Sequence, residues 1–128
     1  MIKPDGRPSL PATTAATSAG IDHARLSYAY LDTGDLDGYG SLLDERAQVR
    51  RPDTPQGRGR AQMLRVHAGI AGPPARHELH RIVADGDSVA VFGRYVRPPL
   101  DLEFADIFTL TELGLLLGYQ RFYFVAPG

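Results

Sequence analysis

The chain has 128 residues, 43% of them apolar and 23% charged, which fits one globular domain and excludes wholesale disorder. Fourteen basic and fifteen acidic side chains leave a formal net charge of -1, so there is no general electrostatic grip on nucleic acid or anionic membrane. The absence of cysteine excludes disulfide scaffolds, thiolate nucleophiles and cysteine-ligated metal centres.

Residues 1–17 hold Pro4, Pro8 and Pro11 in an Ala, Thr and Ser background, and are expected to form a flexible arm ahead of a single domain over residues 18–128. Ser18 is the expected N-cap of a first helix, with Ile21, Ala24, Tyr28 and Leu31 as its apolar stripe and Gly34 as its stop. Asp35 then caps a short helix carrying Leu36, Tyr39, Leu42 and Leu43. A strand is expected around Ala47–Arg51, a loop over Pro52–Gly59, and a third helix with Met63, Val66 and Ile70 on one face. From Arg76 the pattern alternates with period two over Arg76–Ala84, Ser88–Arg97, Asp101–Thr111 and Leu115–Val125. Asp85-Gly86-Asp87 marks a tight hairpin between the first two of these. Three helices followed by an antiparallel meander read as α+β, with the helices packed on one face of a curved sheet. No apolar run approaches the roughly 18 residues of a membrane span, and the N-terminus lacks the apolar core of a secretory signal, so the expected compartment is the cytoplasm.

Leu102, Phe104, Asp106, Phe108 and Leu110 share one strand face, which is apolar except for Asp106. A carboxyl group there either receives an arginine or backbone partner, with Arg121 on the next strand the obvious one, or stays protonated as a hydrogen-bond donor at the floor of a pocket. Asp32 is either an exposed carboxylate before the Gly34 stop or a functional group at the helix end. His23 and His67 read as surface residues on helix flanks. His77 and His80 lie three apart on one strand, hence on opposite faces, which argues against a shared metal ion. Parity with Leu79 and Val83 places His77 on the concave side. Tyr119, Arg121 and Tyr123 alternate on the last strand and are candidates to line the same cavity. Phe122 and Phe124 fall on its other side and need a second apolar cover, which predicts a homodimer through the outer sheet face. Gly57-Arg-Gly59-Arg resembles a phosphate-loop fragment, but no strand precedes it at the spacing such loops need.

The string from Leu26 through Asp37, a Gly-Arg-Ala-Gln-Met helix start at Gly59, and the run from Arg76 through Val91 resemble the nuclear transport factor 2-like superfamily over about residues 20–126. Within it, the chain resembles the SnoaL-like polyketide cyclases, ketosteroid isomerases and scytalone-type dehydratases. The resemblance implies a cone of three helices closing on a strongly bent sheet around an apolar cavity, assembled as a dimer. Asp106 matches the protonated oxyanion-hole aspartic acid of the isomerases. Their general-base position falls on Arg51 and their tyrosine on Ser27, which argues against steroid isomerisation by that mechanism. Asp32 and His77 match the acid–histidine pair of the dehydratase-like branch.

The expected function is therefore a small enzyme, a lyase or isomerase without metal or other cofactor, that dehydrates, isomerises or cyclises a hydrophobic carbonyl compound of polyketide type. Asp32, His77 and Asp106 are its candidate catalytic residues, and Tyr28, Arg51, Phe104, Tyr119, Arg121 and Tyr123 its candidate ligand contacts. Arg51, if it faces inward, selects a carboxylate or phenolate ligand; the alternative is that it turns outward with the neighbouring arginines. A non-catalytic ligand-binding or dimerisation module of the same fold is the competing reading.

Overall fold

The structure is a computed structural model that describes residues 14–124. Its elements run α1 (Thr14–Thr33), α2 (Leu36–Ser41), β1 (Leu43–Arg50), β2 (Gly57–Arg58), α3 (Arg60–Ala68), β3 (Arg76–Asp85), β4 (Ser88–Arg97), β5 (Leu100–Leu110) and β6 (Leu116–Phe124). The strands form one sheet in the order β2-β1-β6-β5-β4-β3, antiparallel everywhere except the β1–β6 pair. Three helices pack on this curved mixed sheet, as the α+β reading expects.

Several boundaries differ from the sequence reading, each for a local reason. Helix α1 already includes Thr14, ahead of Ser18. Ala16 is buried and the Thr17 hydroxyl donates to the Gly86 carbonyl at 2.8 Å, so residues 14–17 belong to the folded body. The rest of the expected arm, residues 1–13, lies outside the described residues, as does Val125. Leu42 and Leu43 leave α2 because the Leu42 carbonyl accepts from Leu116 N at 2.9 Å, which joins the chain to the sheet at once. Part of the expected loop, Gly57–Arg58, pairs with β1 as the short strand β2.

The hairpin at Gly86 forms as expected, with Gly86 supplying the positive φ of 59°. Strand β3 carries a bulge between Leu79 and Arg81, which reverses its side-chain parity. His77 faces inward, but Val83 lies on the opposite, outer face at 42% exposure. The bulge presses the Glu78 carbonyl onto Gly93, where a Cβ has no room. The core lies between α1 and the concave face, around Tyr28, Leu31, Tyr39, Val91, Tyr95, Phe104, Phe108 and Tyr119.

Candidate active site

Asp32, in the last turn of α1, meets the first residues of β3. Its Oδ2 accepts the backbone N–H of His77 at 2.7 Å and its Oδ1 accepts from His77 Nδ1 at 2.6 Å. Because a carboxylate can only accept, the imidazole hydrogen sits on Nδ1 and the neutral ring presents a bare lone pair at Nε2. That Nε2 is buried and has no hydrogen-bond partner. The ring lies among Tyr28, Tyr95 and Phe104, with centroids at 4.8, 4.9 and 5.6 Å. Burial lowers the His77 pKa below the ordinary 6.5, although Asp32 opposes the shift. His77 is therefore a neutral base with a fixed tautomer.

Asp32 and His77 line a small cavity together with Leu31, Arg51, His67, Ile70, Ala71, Ala75 and Tyr95. Its volume of about 10 Å³ corresponds to the space of one water molecule. Of the nine residues singled out from the sequence, only Asp32, His77 and Arg51 line it.

Asp106 does not. Arg121 donates to its Oδ1 from Nε and to its Oδ2 from Nη2, both at 2.7 Å, and the Tyr28 hydroxyl donates to Oδ2 at 2.6 Å. Both side chains of the pair are 1% exposed. With both oxygens accepting, Asp106 is the arginine-partnered carboxylate of the two alternatives and offers no proton to a ligand. The Arg121 guanidinium in turn lies 4.2 Å from the Phe104 ring centroid.

Arg51 faces inward, its side chain 1% exposed. Its Nε and Nη2 donate to the two Asp53 oxygens at 2.8 Å, while Nη1 donates to the Tyr119 hydroxyl at 3.1 Å and Nη2 to the Tyr123 hydroxyl at 3.0 Å. Tyr119, already accepting from Arg51, donates to His67 Nε2 at 3.0 Å. His67 is thus 1% exposed rather than a surface residue. Burial, followed by the charges of Arg51 and Arg121, drives its pKa down to about 3, so it is a neutral acceptor. Burial raises the Tyr123 hydroxyl to about 12, which keeps it a donor at neutral pH.

Sequence reasoning missed His67, Tyr95 and Asp53. His67 follows Met63 by four residues, on the buried face of α3, so a signal existed. Tyr95 continues the inward parity of Val89 and Val91 and pairs with His77 across β3–β4. Asp53 sits on an irregular loop, where no periodicity reports direction. Among the described residues, no group of three His, Asp or Glu is placed to hold a metal ion, and no helix is long and apolar enough to cross a membrane.

A family model for SnoaL-like domains matches residues 24–117. Among solved structures, a candidate ketosteroid isomerase from Kribbella flavida aligns at 21% identity and TM-score 0.77, covering 91% of this chain and 85% of its own. A candidate SnoaL-like polyketide cyclase from Jannaschia aligns at 15% identity and TM-score 0.71, covering 90% and 91%. An epoxide hydrolase from M. tuberculosis aligns at 18% identity and TM-score 0.67, covering 84% of each chain. At these identities the likeness is one of fold. No curated protein matches the sequence.

Two measurements check the electrostatics. Asp106→Asn leaves Arg121 buried without its counter-ion and is expected to cost about 3–5 kcal/mol, seen as a large drop in Tm. A variant melting near wild type would restore the donor role. Acid should also destabilise the fold through His67. Its unfolded pKa is near 6.5 and its folded value about 3, so below pH 6.5 the unfolded chain binds a proton that the folded chain refuses. Between pH 7 and 4.5 that loss amounts to about 2–3 kcal/mol by denaturant titration. His67→Gln should flatten this acid slope, and an unchanged slope would show that the ring protonates freely in place.

Proposed function

The chain belongs to the SnoaL-like domain family, and from that premise we propose that it is a cofactor-free enzyme moving protons on a small, hydrophobic carbonyl compound, with His77 as base and Asp32 orienting it. One observation carries the reading: the buried Nε2 of His77 has no partner, and His77 lines a cavity that Arg51 also lines. An unsatisfied buried acceptor costs about 1–3 kcal/mol, which a purely structural histidine would not be expected to retain.

In this reading His77 Nε2 removes a proton from the carbon next to a carbonyl, and the imidazolium formed is held by the Asp32 carboxylate on Nδ1. The developing enolate oxygen needs a donor. Asp106 is committed to Arg121, so Arg51 takes that role. Its Nη1 spends one hydrogen on Tyr119 and has a second without a partner among the described residues. Tyr95, Tyr28 and Phe104 keep the base dry. Loss of the leaving group, return of the proton at another carbon, or attack on a second carbonyl then distinguishes dehydration, isomerisation and ring closure.

The competing reading is a ligand-binding module without turnover. In either reading a ring-sized ligand enters only if a wall moves, so the cavity alone does not choose between them. The two readings separate by following deuterium exchange at the α-carbon of small cyclic ketones and β-diketones by NMR. Wild type should exchange at least about 100-fold faster than His77→Gln. Because burial holds the His77 pKa below 6.5, the base stays neutral on the acid side and the rate should remain level down to that pH. Equal exchange by wild type and variant would leave binding as the function.

We further propose that the protein works as a cytoplasmic homodimer through the outer face of the sheet. Phe92, Ala105 and Phe122 stand in one cross-strand row there, beside Val83, Ile107 and Phe124, of which Phe122 and Phe124 are 47% and 54% exposed. Sedimentation at micromolar concentration should show twice the chain mass. A monomer whose exposed face stays soluble would overturn the assembly.

A further inference from the structure

We infer that Arg51 and Tyr123 form a carboxylate-binding site at the edge of the cavity, and that in the ligand-free protein the chain's own Asp53 fills it. The inference rests on the reading of the cavity as a substrate site and narrows the substrate class to carbonyl compounds carrying a carboxylate.

Of the two donor residues, Arg51 lines the cavity and Tyr123 stands beside it. Arg51 Nε and Nη2 present the two-pronged edge that matches a carboxylate, and Asp53 receives both prongs at 2.8 Å. The Tyr123 hydroxyl adds a third donor to Asp53 Oδ2 at 2.7 Å. That hydroxyl accepts from Arg51 Nη2 at 3.0 Å and from Arg121 Nη1 at 3.3 Å, so its own hydrogen has only the carboxylate to go to. The guanidinium is fixed from behind by Tyr119 and lies 5.5 Å from the Tyr95 ring centroid.

The occupant belongs to the surface. Asp53 has a side chain 38% exposed, against 1% for Arg51. It stands on the loop between β1 and β2, flanked by Pro52 and Thr54, and the Thr54 hydroxyl is buried there without a partner. A loop that carries such an unmet hydrogen bond next to Asp53 gives up less on opening than a fully bonded one. A buried guanidinium must keep a counter-ion at all times. An incoming carboxylate that replaces Asp53 satisfies this condition without changing the charge at the site. Tyr95 contacts both groups, its ring centroid 5.5 Å from the Arg51 guanidinium and 4.9 Å from the His77 ring, which is tilted by 33° to it. A ligand anchored by its carboxylate at Arg51 is therefore held within reach of Tyr95 and His77, which line the same cavity.

Asp53 then acts as a tethered competitor, with a local concentration in the millimolar range or above. Removing it should strengthen carboxylate binding about tenfold or more, since the apparent affinity is scaled by the fraction of open sites. Benzoate and uncharged benzyl alcohol are suitable probes, titrated by calorimetry or NMR against wild type, Asp53→Asn and Asp53→Ser. We expect benzoate to bind both variants about tenfold tighter than wild type, with benzyl alcohol changed less than about twofold. Millimolar benzoate should also raise the Tm of Asp53→Ser more than that of wild type, a readout that survives if the variant is itself destabilised. In the Asp53→Ser background, Arg51→Lys should lose the gain, because an ammonium cannot reproduce the two-pronged contact. Unchanged benzoate affinity, or an equal gain for benzyl alcohol, would overturn the site. Tighter benzoate binding with no α-carbon exchange would refute the catalytic reading and leave this site standing. Exchange without the gain in binding would do the reverse.

Discussion

Two guanidinium groups lie inside the concave face of this sheet, and a charge removed from water must be met by an opposite charge and by hydrogen bonds to its remaining donors. Arg121 is met by Asp106 and Arg51 by Asp53, through paired donors in each case. The polar atoms left over shape what surrounds them. Tyr28 reaches across from α1 to Asp106, Tyr123 bridges the two arginines, and Tyr119 passes the contact on to His67 in α3. One charge network thus ties α1, α3, β5, β6 and the β1–β2 loop together. The aromatic rings that would otherwise make an oily cone are turned into a polar frame by their hydroxyls.

This frame decides which residues are available for chemistry. A carboxylate holding a buried arginine is not free to hold a ligand, so Asp106 supports the interior and the proposed chemistry falls to Asp32 and His77. The dyad stands apart from the arginine network in its hydrogen bonds, yet it feels the field, since Arg121 is among the charges that keep the imidazole unprotonated. A buried histidine beside buried cations is poised as a base rather than as a cation.

The fold was legible because its signals are local and repeated. The stripe Ala24, Tyr28, Leu31 on α1 and the alternation of Phe104, Asp106 and Phe108 on β5 each report a buried face through their own period. The Asp85-Gly86-Asp87 turn reports itself through backbone chemistry. The site was legible only in part. The pairing of Asp106 with Arg121 depends on cross-strand register, which places them directly opposite one another, and alternation on two strands does not fix that offset. His77 faces inward, but the bulge after Leu79 breaks its parity with Val83, so strict alternation does not hold along β3. Asp53 left no trace in the pattern, because a loop has no period and its direction is set by the guanidinium it meets.

The same field bears on both ends of the proposed proton transfer. Taking a proton from carbon to His77 creates an imidazolium and an enolate together, so the net charge of the cavity does not change. Nearby guanidinium groups disfavour the first and favour the second. If they acted alone on the imidazole, the base would become too weak for a carbon acid. Asp32 corrects this imbalance at short range, because its carboxylate contacts Nδ1 at 2.6 Å and stabilises the imidazolium where it forms. Arg51 lines the same cavity, and in the proposed reaction it acts on the oxygen side. With the carboxylate on the imidazole and the cation on the oxygen side of one small cavity, each would stabilise the charge that develops beside it. An exposed arrangement of the same residues would lose this advantage, since water would screen both ends equally.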